Sequence, residues 1–479
     1  MNEWLNAAAS VGRNVLEFGP GLLWWGWLAY LVVLASWIVL QKREPIATLS
    51  WLLSLALLPW IGLVLYHFLG PRRIRRTRLK RLRVRERLDG SHGAGHRAQA
   101  ASALMRLGAT ASGYAPTTAR EVRLMVDGAE TFDAIIAAVA AAQKHVHLEY
   151  YLFEPDMTGT RLREALIERA RAGVRVRLLL DALGSSRLGY AYLAEMRAAG
   201  VEIVFFHRTR LQWRGLRRPR LNYRNHRKIA VIDGRIGFTG GVNITDEENE
   251  RLRDDAYHDL HLRVEGELVR WLQLTFAEDW TYACGRPPTG DDLWPASEPG
   301  PIKAIALPAG PDSPWEAIHR VMVAAIAGAR ERVWLCTPYF VPSEAARQAL
   351  TSAAMRGVDV RVLVPAMSDS RWVSAAARSY YDELHGAGAR VYEYPGMLHS
   401  KALLVDADVA VFGSSNFDNR SFRLNFELCV LLEDVDVADS LAAEFRHDLA
   451  LAREVTWPRR LGWRARSAEA WARLLSPLL

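Results

Sequence analysis

Asn225-His226-Arg227-Lys228-Ile229-Ala230-Val231-Ile232-Asp233 occurs in a second version as Leu398-His399-Ser400-Lys401-Ala402-Leu403-Leu404-Val405-Asp406. In both, a Lys follows the His by two residues and an Asp follows the Lys by five. Seventeen residues beyond each His stands an Asn that closes a small-residue run, Gly240-Gly241-Val242-Asn243 and Gly413-Ser414-Ser415-Asn416. Two-residue spacing puts His and Lys on one face of a strand and turns Ile229/Val231, or Ala402/Leu404, to the other. The Gly/Ser runs read as tight turns that bring backbone and the Asn side chain close to a ligand. A single His-x-Lys on a strand carries no weight. A five-feature pattern repeated at identical internal spacing is a duplication.

The flanking sequence repeats as well. Glu130–Lys144 reads as a helix, His145–Phe153 as a strand, Arg161–Ala172 as a helix and Val174–Leu180 as a strand. The second half follows the same order with Trp315–Arg330, Val333–Pro338, Ala345–Arg356 and Val358–Val364. Ala-Gly-Val-Arg-Val-Arg-Leu-Leu at 172–179 matches Arg-Gly-Val-Asp-Val-Arg-Val-Leu at 356–363, an offset of 184 residues. Alternating strands and helices in duplicate predict an α/β fold of two similar lobes.

Each half offers an imidazole, an ammonium and an amide donor. No Cys cluster and no carboxylate cage of the kind a metal takes is visible, so neither a metal nor another cofactor is expected. Lys228, Lys401, Asn243 and Asn416 suit the oxygens of a phosphate. If the halves meet about a pseudo-twofold axis, one imidazole attacks phosphorus while the other protonates the leaving alkoxide and then serves as base for the incoming group. That chemistry is phosphodiester transfer through a phosphohistidine, with alcohol or water as acceptor. His226 is expected as nucleophile and His399 as acid and base, an order that the near-symmetry of the motifs leaves reversible. Asp233 and Asp406 complete the motifs but fall at strand ends, where a structural ion pair or turn cap is expected; they rank below His, Lys and Asn for chemistry.

These paired motifs resemble the HKD motifs of the phospholipase D superfamily, and the wider sequence is similar to its bacterial cardiolipin synthases. The similarity runs through an N-terminal apolar hairpin, His147-Leu148-Glu149-Tyr150-Tyr151, Thr337-Pro338-Tyr339-Phe340-Val341-Pro342, Arg420-Ser421-Phe422-Arg423-Leu424-Asn425-Phe426-Glu427 and the closing Arg473-Leu474-Leu475-Ser476-Pro477-Leu478-Leu479. One departure is Gly241, where the superfamily commonly has Ser, as at Ser414; it is expected to remove a hydroxyl near the phosphate. The resemblance implies that Asp259 and Glu427 orient the histidines, Asp259 in preference to the nearby Asp254 and Asp255. It also implies a metal-independent phosphatidyltransferase that joins two phosphatidylglycerol molecules into cardiolipin and glycerol. A phospholipase D that hydrolyses lipid to phosphatidic acid is the nearest rival. A nuclease is less well served, because a hairpin anchor holds the site at lipid, and no nucleic acid is expected as a partner. Two intact imidazole motifs speak against a lipid-binding scaffold.

Half of the 479 residues are hydrophobic and 17 are Trp, a composition that suits a protein facing a membrane. The apolar runs at 22–40 and 46–69 are each long enough to cross a bilayer, and the five residues between them allow only a tight turn. Residues 71–90 hold ten Arg/Lys against Glu86 and Asp89, which alone equals the net charge of +8. The positive-inside tendency then puts the catalytic part on the cytoplasmic side of a bacterial inner membrane, with the basic run available to anionic lipid. The expected organisation is a transmembrane hairpin over 1–70, a basic segment and linker over 71–117, a first lobe over 118–290, and a second lobe with a tail over 300–479.

Between Gly200 and His226 the first lobe carries about fifteen more residues than the second does before His399. They include His207, Arg208, Arg210, Trp213, Arg214, Arg217, Arg218 and Arg220 and no acid, as expected of a contact with an anionic bilayer or head group. The tail over 457–479, with Trp457, Trp463 and Trp471 among arginines, suits either an interfacial helix or a helix packed on the lobes. Cys284, Cys336 and Cys429 have no ligand spacing and read as buried small apolar residues.

Overall fold

The computed structural model describes residues 24–40, 45–58, 61–62, 66, 101–207 and 223–474. The basic run at 71–90 and nearly all of the insertion before His226 lie outside the described residues.

A short strand β1 (Thr117–Ala119) precedes the seven strands of the first sheet. These are β2 (Glu121–Val126), β3 (His145–Tyr150), β4 (Arg175–Asp181), β5 (Glu202–Phe206), β6 (Ile229–Ile232), β7 (Ile236–Gly240) and β8 (Leu260–Glu265). The second half supplies β9 (Ile302–Ala309), β10 (Arg332–Cys336), β11 (Phe340–Val341), β12 (Asp359–Pro365), β13 (Arg390–Tyr394), β14 (Ala402–Val405), β15 (Val409–Gly413), β16 (Phe417–Asp418), β17 (Glu427–Glu433) and β18 (Arg453–Glu454). Strands in the first sheet run β2-β8-β7-β6-β3-β4-β5. The second repeats that order as β9-β17-β15-β14-β10-β12-β13, with β1 and β18 added at its edges. In both, the three strands at one end are parallel and the rest antiparallel. The duplication seen in the sequence is therefore a duplication of topology.

The patterning explains the layering. Successive residues of β6 and β14 point to opposite faces. Ile229 and Val231 of β6 join Ala402 and Leu404 of β14 in one core with Leu262, Leu272, Val430 and Phe445, so the two sheets share an apolar interior. Ala230 and Ile232 turn the other way, into a core under Phe132, Leu166 and Met196; Leu403 and Val405 do the same in the second lobe, under Val321 and Leu350. Each fully buried aliphatic side chain contributes roughly 1.5–3 kcal/mol. The shared core thus holds the lobes together on the scale of a domain interior. Cys336 and Cys429 are buried in these cores, as expected, whereas Cys284, at the end of its helix, is only partly buried.

The expectation of a linker up to residue 117 is corrected. Ala103–Ser112 is a helix, capped by the Ser102 hydroxyl, which accepts from the Met105 amide at 3.1 Å, and closed by Gly113 at φ +75°. Met105 is buried against the second lobe, and Gly108 lies so close to Leu307 and Ile305 that a Cβ there would meet both. The small residues that read as a loop are those that let a helix lie this near a sheet. The chain then runs along the second sheet as β1 against β9 before it builds the first lobe from β2 onward.

Residues 24–39 are helical and Pro45–Leu57 forms a helix of 13 residues, with Ile38, Leu55 and Tyr66 buried together. Trp24, Trp25, Val33, Leu40, Leu49, Leu53 and Leu57 are exposed. Among the described residues no helix is both long and apolar enough to cross a membrane. At the other end, the helix Trp463–Leu474 packs on the second lobe. Ala472 is fully buried, the Arg459 guanidinium pairs with Asp382 and Glu469, and Arg473 lies 4.4 Å from the Tyr380 ring. Its Trp463 and Trp471 face outward.

Candidate active site

Immediately before β6 and β14 the chain crosses to the other lobe. Asn225 forms a bridge with Phe426, and Leu398 forms one with His258. The His226 amide donates to the Phe426 carbonyl at 2.9 Å, and the His399 amide donates to the His258 carbonyl at 2.7 Å. Each motif His is thereby set beside the acid that follows its bridge partner, and that acid belongs to the opposite lobe. His226 Nδ1 lies 3.0 Å from the Glu427 carboxylate and 3.1 Å from the Ser414 carbonyl. His399 Nδ1 lies 2.6 Å from Asp259 Oδ2. With a carboxylate at Nδ1, that nitrogen carries the proton and Nε2 presents its lone pair. Of the three acids weighed near His226, it is Asp259 that enters the site, and it serves His399.

Burial and charge set the protonation states. Burial, then the neighbouring ammonium of Lys401, holds His399 down to about 4; burial also lowers His226, against the pull of Glu427. Burial alone would raise both acids. Lys401 and His399 nevertheless hold Asp259 below the usual carboxylate range, and His226 and Lys228 do the same for Glu427. Lys228 and Lys401 are buried beside them, their Nζ atoms donating to the carbonyls of His226 (at 2.9 Å) and His399. Burial, then repulsion from Lys401, brings the Lys228 ammonium down to about 7. Two buried cations that repel each other across the midline of a pseudo-twofold site are relieved by an anion between them.

The two Asn residues are used differently. Asn243 donates its backbone and side-chain amides to Glu248, at 2.9 and 2.7 Å, a carboxylate that the second half lacks; the Oδ1 atoms of both Asn243 and Asn416 are buried with no hydrogen-bond partner among the described residues. Glu248 was not legible as a site residue. It sits in the acidic run Asp246-Glu247-Glu248, has no counterpart in the second motif, and is fully buried with Oε1 3.6 Å from His399 Nδ1. Burial and the neighbouring Asp259 push its carboxyl up to about 8.

The departure at Gly241 also has a physical reason, and it differs from the expected loss of a phosphate contact. Ser414 Oγ accepts from the Leu428 amide at 3.0 Å and donates to Glu427 at 2.5 Å, so this hydroxyl steadies the carboxylate. In the first half Asp259 Oδ1 accepts the corresponding Leu260 amide directly, at 2.7 Å, and its carboxylate fills the space that a Cβ on residue 241 would need. Asp with Gly and Glu with Ser are two solutions to one packing problem.

Asp233 and Asp406, expected at strand ends as ion-pair or cap residues of the motifs, form caps. Each follows its strand at positive φ, +54° and +52°, and turns its carboxylate onto backbone amides. Asp233 accepts from Gln143, Lys144 and His145, all at 2.8 Å; Asp406 accepts from Arg330, Glu331 and Arg332 at 2.8–3.2 Å. Each caps the start of the neighbouring strand, β3 or β10.

Among the described residues two clusters of potential metal ligands form where the sequence showed no carboxylate cage: Glu248, Asp259 and His399, and His258, Glu444 and Asp448. Both draw on two lobes, so no local spacing announces them. In the first, Asn243 already donates to both oxygens of Glu248, while His399 donates to Asp259, which also lies 3.7 Å from the Lys401 ammonium. Its charges are thus met by groups of the protein.

Among known proteins, the family profile described as "Cardiolipin synthase, PLD-like domain" matches residues 135–280 and 322–449, and one described as "Phospholipase_D-nuclease N-terminal" matches residues 28–71. A cardiolipin synthase of Geobacillus kaustophilus is 39% identical over 94% of this chain and 92% of its own. One of Halalkalibacterium halodurans is 37% identical over 95% of each chain. The crystal structure of phosphatidylserine synthase from Haemophilus influenzae superposes with a TM-score of 0.59 at 12% identity, covering 79% of this chain and all of that one, which is a likeness of fold.

Proposed function

The chain belongs to the phospholipase D-like cardiolipin synthase family, and on that premise we propose that it transfers a phosphatidyl group from one phosphatidylglycerol to the head-group hydroxyl of another, yielding cardiolipin and glycerol. The observation that carries the mechanism is the exchange of carboxylates between lobes, which occupies Nδ1 of both imidazoles and leaves each Nε2 without a hydrogen-bond partner among the described residues.

The donor phosphodiester binds between Lys228 and Lys401, which take its non-bridging oxygens. His226 Nε2 attacks phosphorus as the bond to the glycerol oxygen breaks, and His399 Nε2–H protonates that oxygen. Burial and Lys401 keep His399 neutral in the empty site. The arriving anion cancels the push of both lysines, and the short bond to Asp259 then favours the imidazolium. Glycerol leaves a phosphatidyl-His226. The hydroxyl of a second phosphatidylglycerol gives its proton to neutral His399 and attacks phosphorus as the P–N bond breaks; His226 is neutral again, and His399, now the imidazolium, gives back to solvent the proton it took up on binding when the product leaves. Two ammoniums supply the charge on which a metal ion is otherwise used, so the transfer proceeds without one.

The runs at 22–40 and 46–69 cross the bacterial inner membrane as a hairpin and hold the site at the cytoplasmic surface. This reading is supported by the apolar side chains exposed on the N-terminal helices, by the match over residues 28–71, and by the basic run that follows.

The test is full-length protein in detergent micelles of phosphatidylglycerol with a chelator present, with products read by mass spectrometry. Cardiolipin and free glycerol are expected, and His226→Ala abolishes both. Phosphatidic acid as the sole lipid product would make water the acceptor.

A further inference from the structure

The second buried cluster stands apart from the phosphate chemistry. His258 precedes Asp259 and hydrogen-bonds through its backbone to Met397 and His399, so it lies where the two lobes are joined. Its ring stacks on Tyr394, at 5.4 Å between centroids, and its Nδ1 lies 2.7 Å from the Asp127 carboxylate. Nε2 points at the helix Val435–Leu451, 2.9 Å from Asp448 Oδ1 and 3.7 Å from Glu444 Oε1. The first is an ion-pair distance and the second is longer than a hydrogen bond. Nε2, Oδ1 and Oε1 are all buried without a hydrogen-bond partner among the described residues. His258 is 8% exposed and Asp448 2% exposed, so water does not satisfy them from outside.

The pseudo-symmetry shows what is missing. Phe276-Ala277-Glu278-Asp279 and Phe445-Arg446-His447-Asp448 place a buried Asp three residues after a Phe on corresponding helices. In the first half, the guanidinium of Arg227, next to the catalytic His226, meets Asp279. The matching residue in the second half is Ser400, whose hydroxyl donates to the His258 carbonyl and brings no charge. The recorded ion pairs of Asp127, Glu444 and Asp448 all run to His258, so one imidazole faces three carboxylates. His447 also acts on Glu444 from the same helix, and Arg446 lies over the Trp334 ring.

We propose that His258 Nε2, Glu444 and Asp448 form a site for a divalent cation, of the Zn2+ or Mn2+ class, that ties the lobes together where the second half lacks an arginine.

Ligand atoms around a metal with bonds of about 2.1 Å sit roughly 3.0–3.5 Å apart, close to the separations found here. One imidazole with two carboxylates suits borderline divalent ions. A carboxylate on the far ring nitrogen, the part Asp127 takes, is the usual support of a metal-bound His. Glu444 is the least buried of the three and gives the ion a way in. Without the ion a proton takes its place. The imidazole nitrogen binds a metal only without its proton, so the cation enters by displacing it.

The test uses full-length protein purified without chelator, stripped with EDTA and then titrated with Zn2+ or Mn2+ while metal content and thermal melting are followed. Stripped wild-type protein is expected to bind about one equivalent and to melt several degrees higher once loaded. Asp448→Asn and Glu444→Gln should bind at least tenfold more weakly and melt at the same temperature with and without the ion. Glu444→Gln is the safer of the two because its side chain reaches solvent, and its circular dichroism spectrum should match wild type. A wild-type melting temperature indifferent to added cation, or equal binding by both variants, overturns the proposal and leaves a plain imidazolium between carboxylates.

Discussion

The two halves of the active site are built to one plan and finished differently. Around His226 the supporting acid is the longer Glu427, steadied by the Ser414 hydroxyl; around His399 it is the shorter Asp259, set over Gly241 with Glu248 close by. The His399 pair is tighter, 2.6 Å against 3.0 Å. In the proposed mechanism attack and proton transfer place different demands on the two imidazoles, and the groups behind each ring differ while both rings remain. The exchange of acids between lobes also means that neither half is complete alone.

That comparison is broken most severely at the acids. Glu427→Gln and Asp259→Asn should each lower kcat by roughly 10²–10⁴-fold while lipid binding persists, since each leaves its ring without the group that fixes its tautomer. Steady-state kinetics check this, and a loss confined to one variant would show that only one imidazole needs its carboxylate. The residue behind the acid comes next. Gly241→Ser should destabilise the fold by about 3 kcal/mol through collision with Asp259, and Ser414→Gly by about 1 kcal/mol through one lost hydrogen bond. Combining Gly241→Ser with Asp259→Glu copies the second half into the first and should recover part of the melting temperature. No recovery would mean that the two solutions are not interchangeable.

Asp233→Asn and Asp406→Asn should each cost about 1–3 kcal/mol of stability, because a strand start loses part of its carboxylate cap, and should leave turnover per folded molecule within a few-fold of wild type. A large fall in turnover without a change in melting would return these residues to the chemistry. Acid should act through the buried neutral histidines. His145 and His399 are held down to about 4 and His261 to about 3, chiefly by burial. Their unfolded values lie near 6.5, so between about pH 6.5 and 4 the unfolded chain binds more protons. The stability they contribute is whole above that window and drains away as pH falls, at about 1.4 kcal/mol per pH unit for each proton taken up. Denaturant melts across the window measure the slope, and a flat profile would contradict neutral burial.

What could be read from the sequence follows from what is periodic and local. Helix and strand order in both lobes came from the repeated apolar pattern, and the eight elements expected around the two halves form within a few residues of their expected places. The helix Ala103–Ser112 was missed because Ala, Gly and Ser suit both loops and close packing. His226, Lys228, His399 and Lys401 were legible as a duplicated spacing, and Asp259 and Glu427 through resemblance. The crossed pairing of those acids, the part played by Glu248 and the reason for Gly241 depend on contacts between residues far apart in the chain, and no spacing carries them.

The most direct test of the account is to trap the covalent intermediate. Protein mixed with phosphatidylglycerol carrying labelled phosphate is quenched in base within one turnover, digested and mapped by mass spectrometry. The account predicts a phosphatidyl group on the peptide containing His226, in wild type and at higher occupancy in His399→Gln if glycerol still departs. Label on His399 would invert the roles of the two halves, and no labelled histidine in any form would contradict transfer through an imidazole.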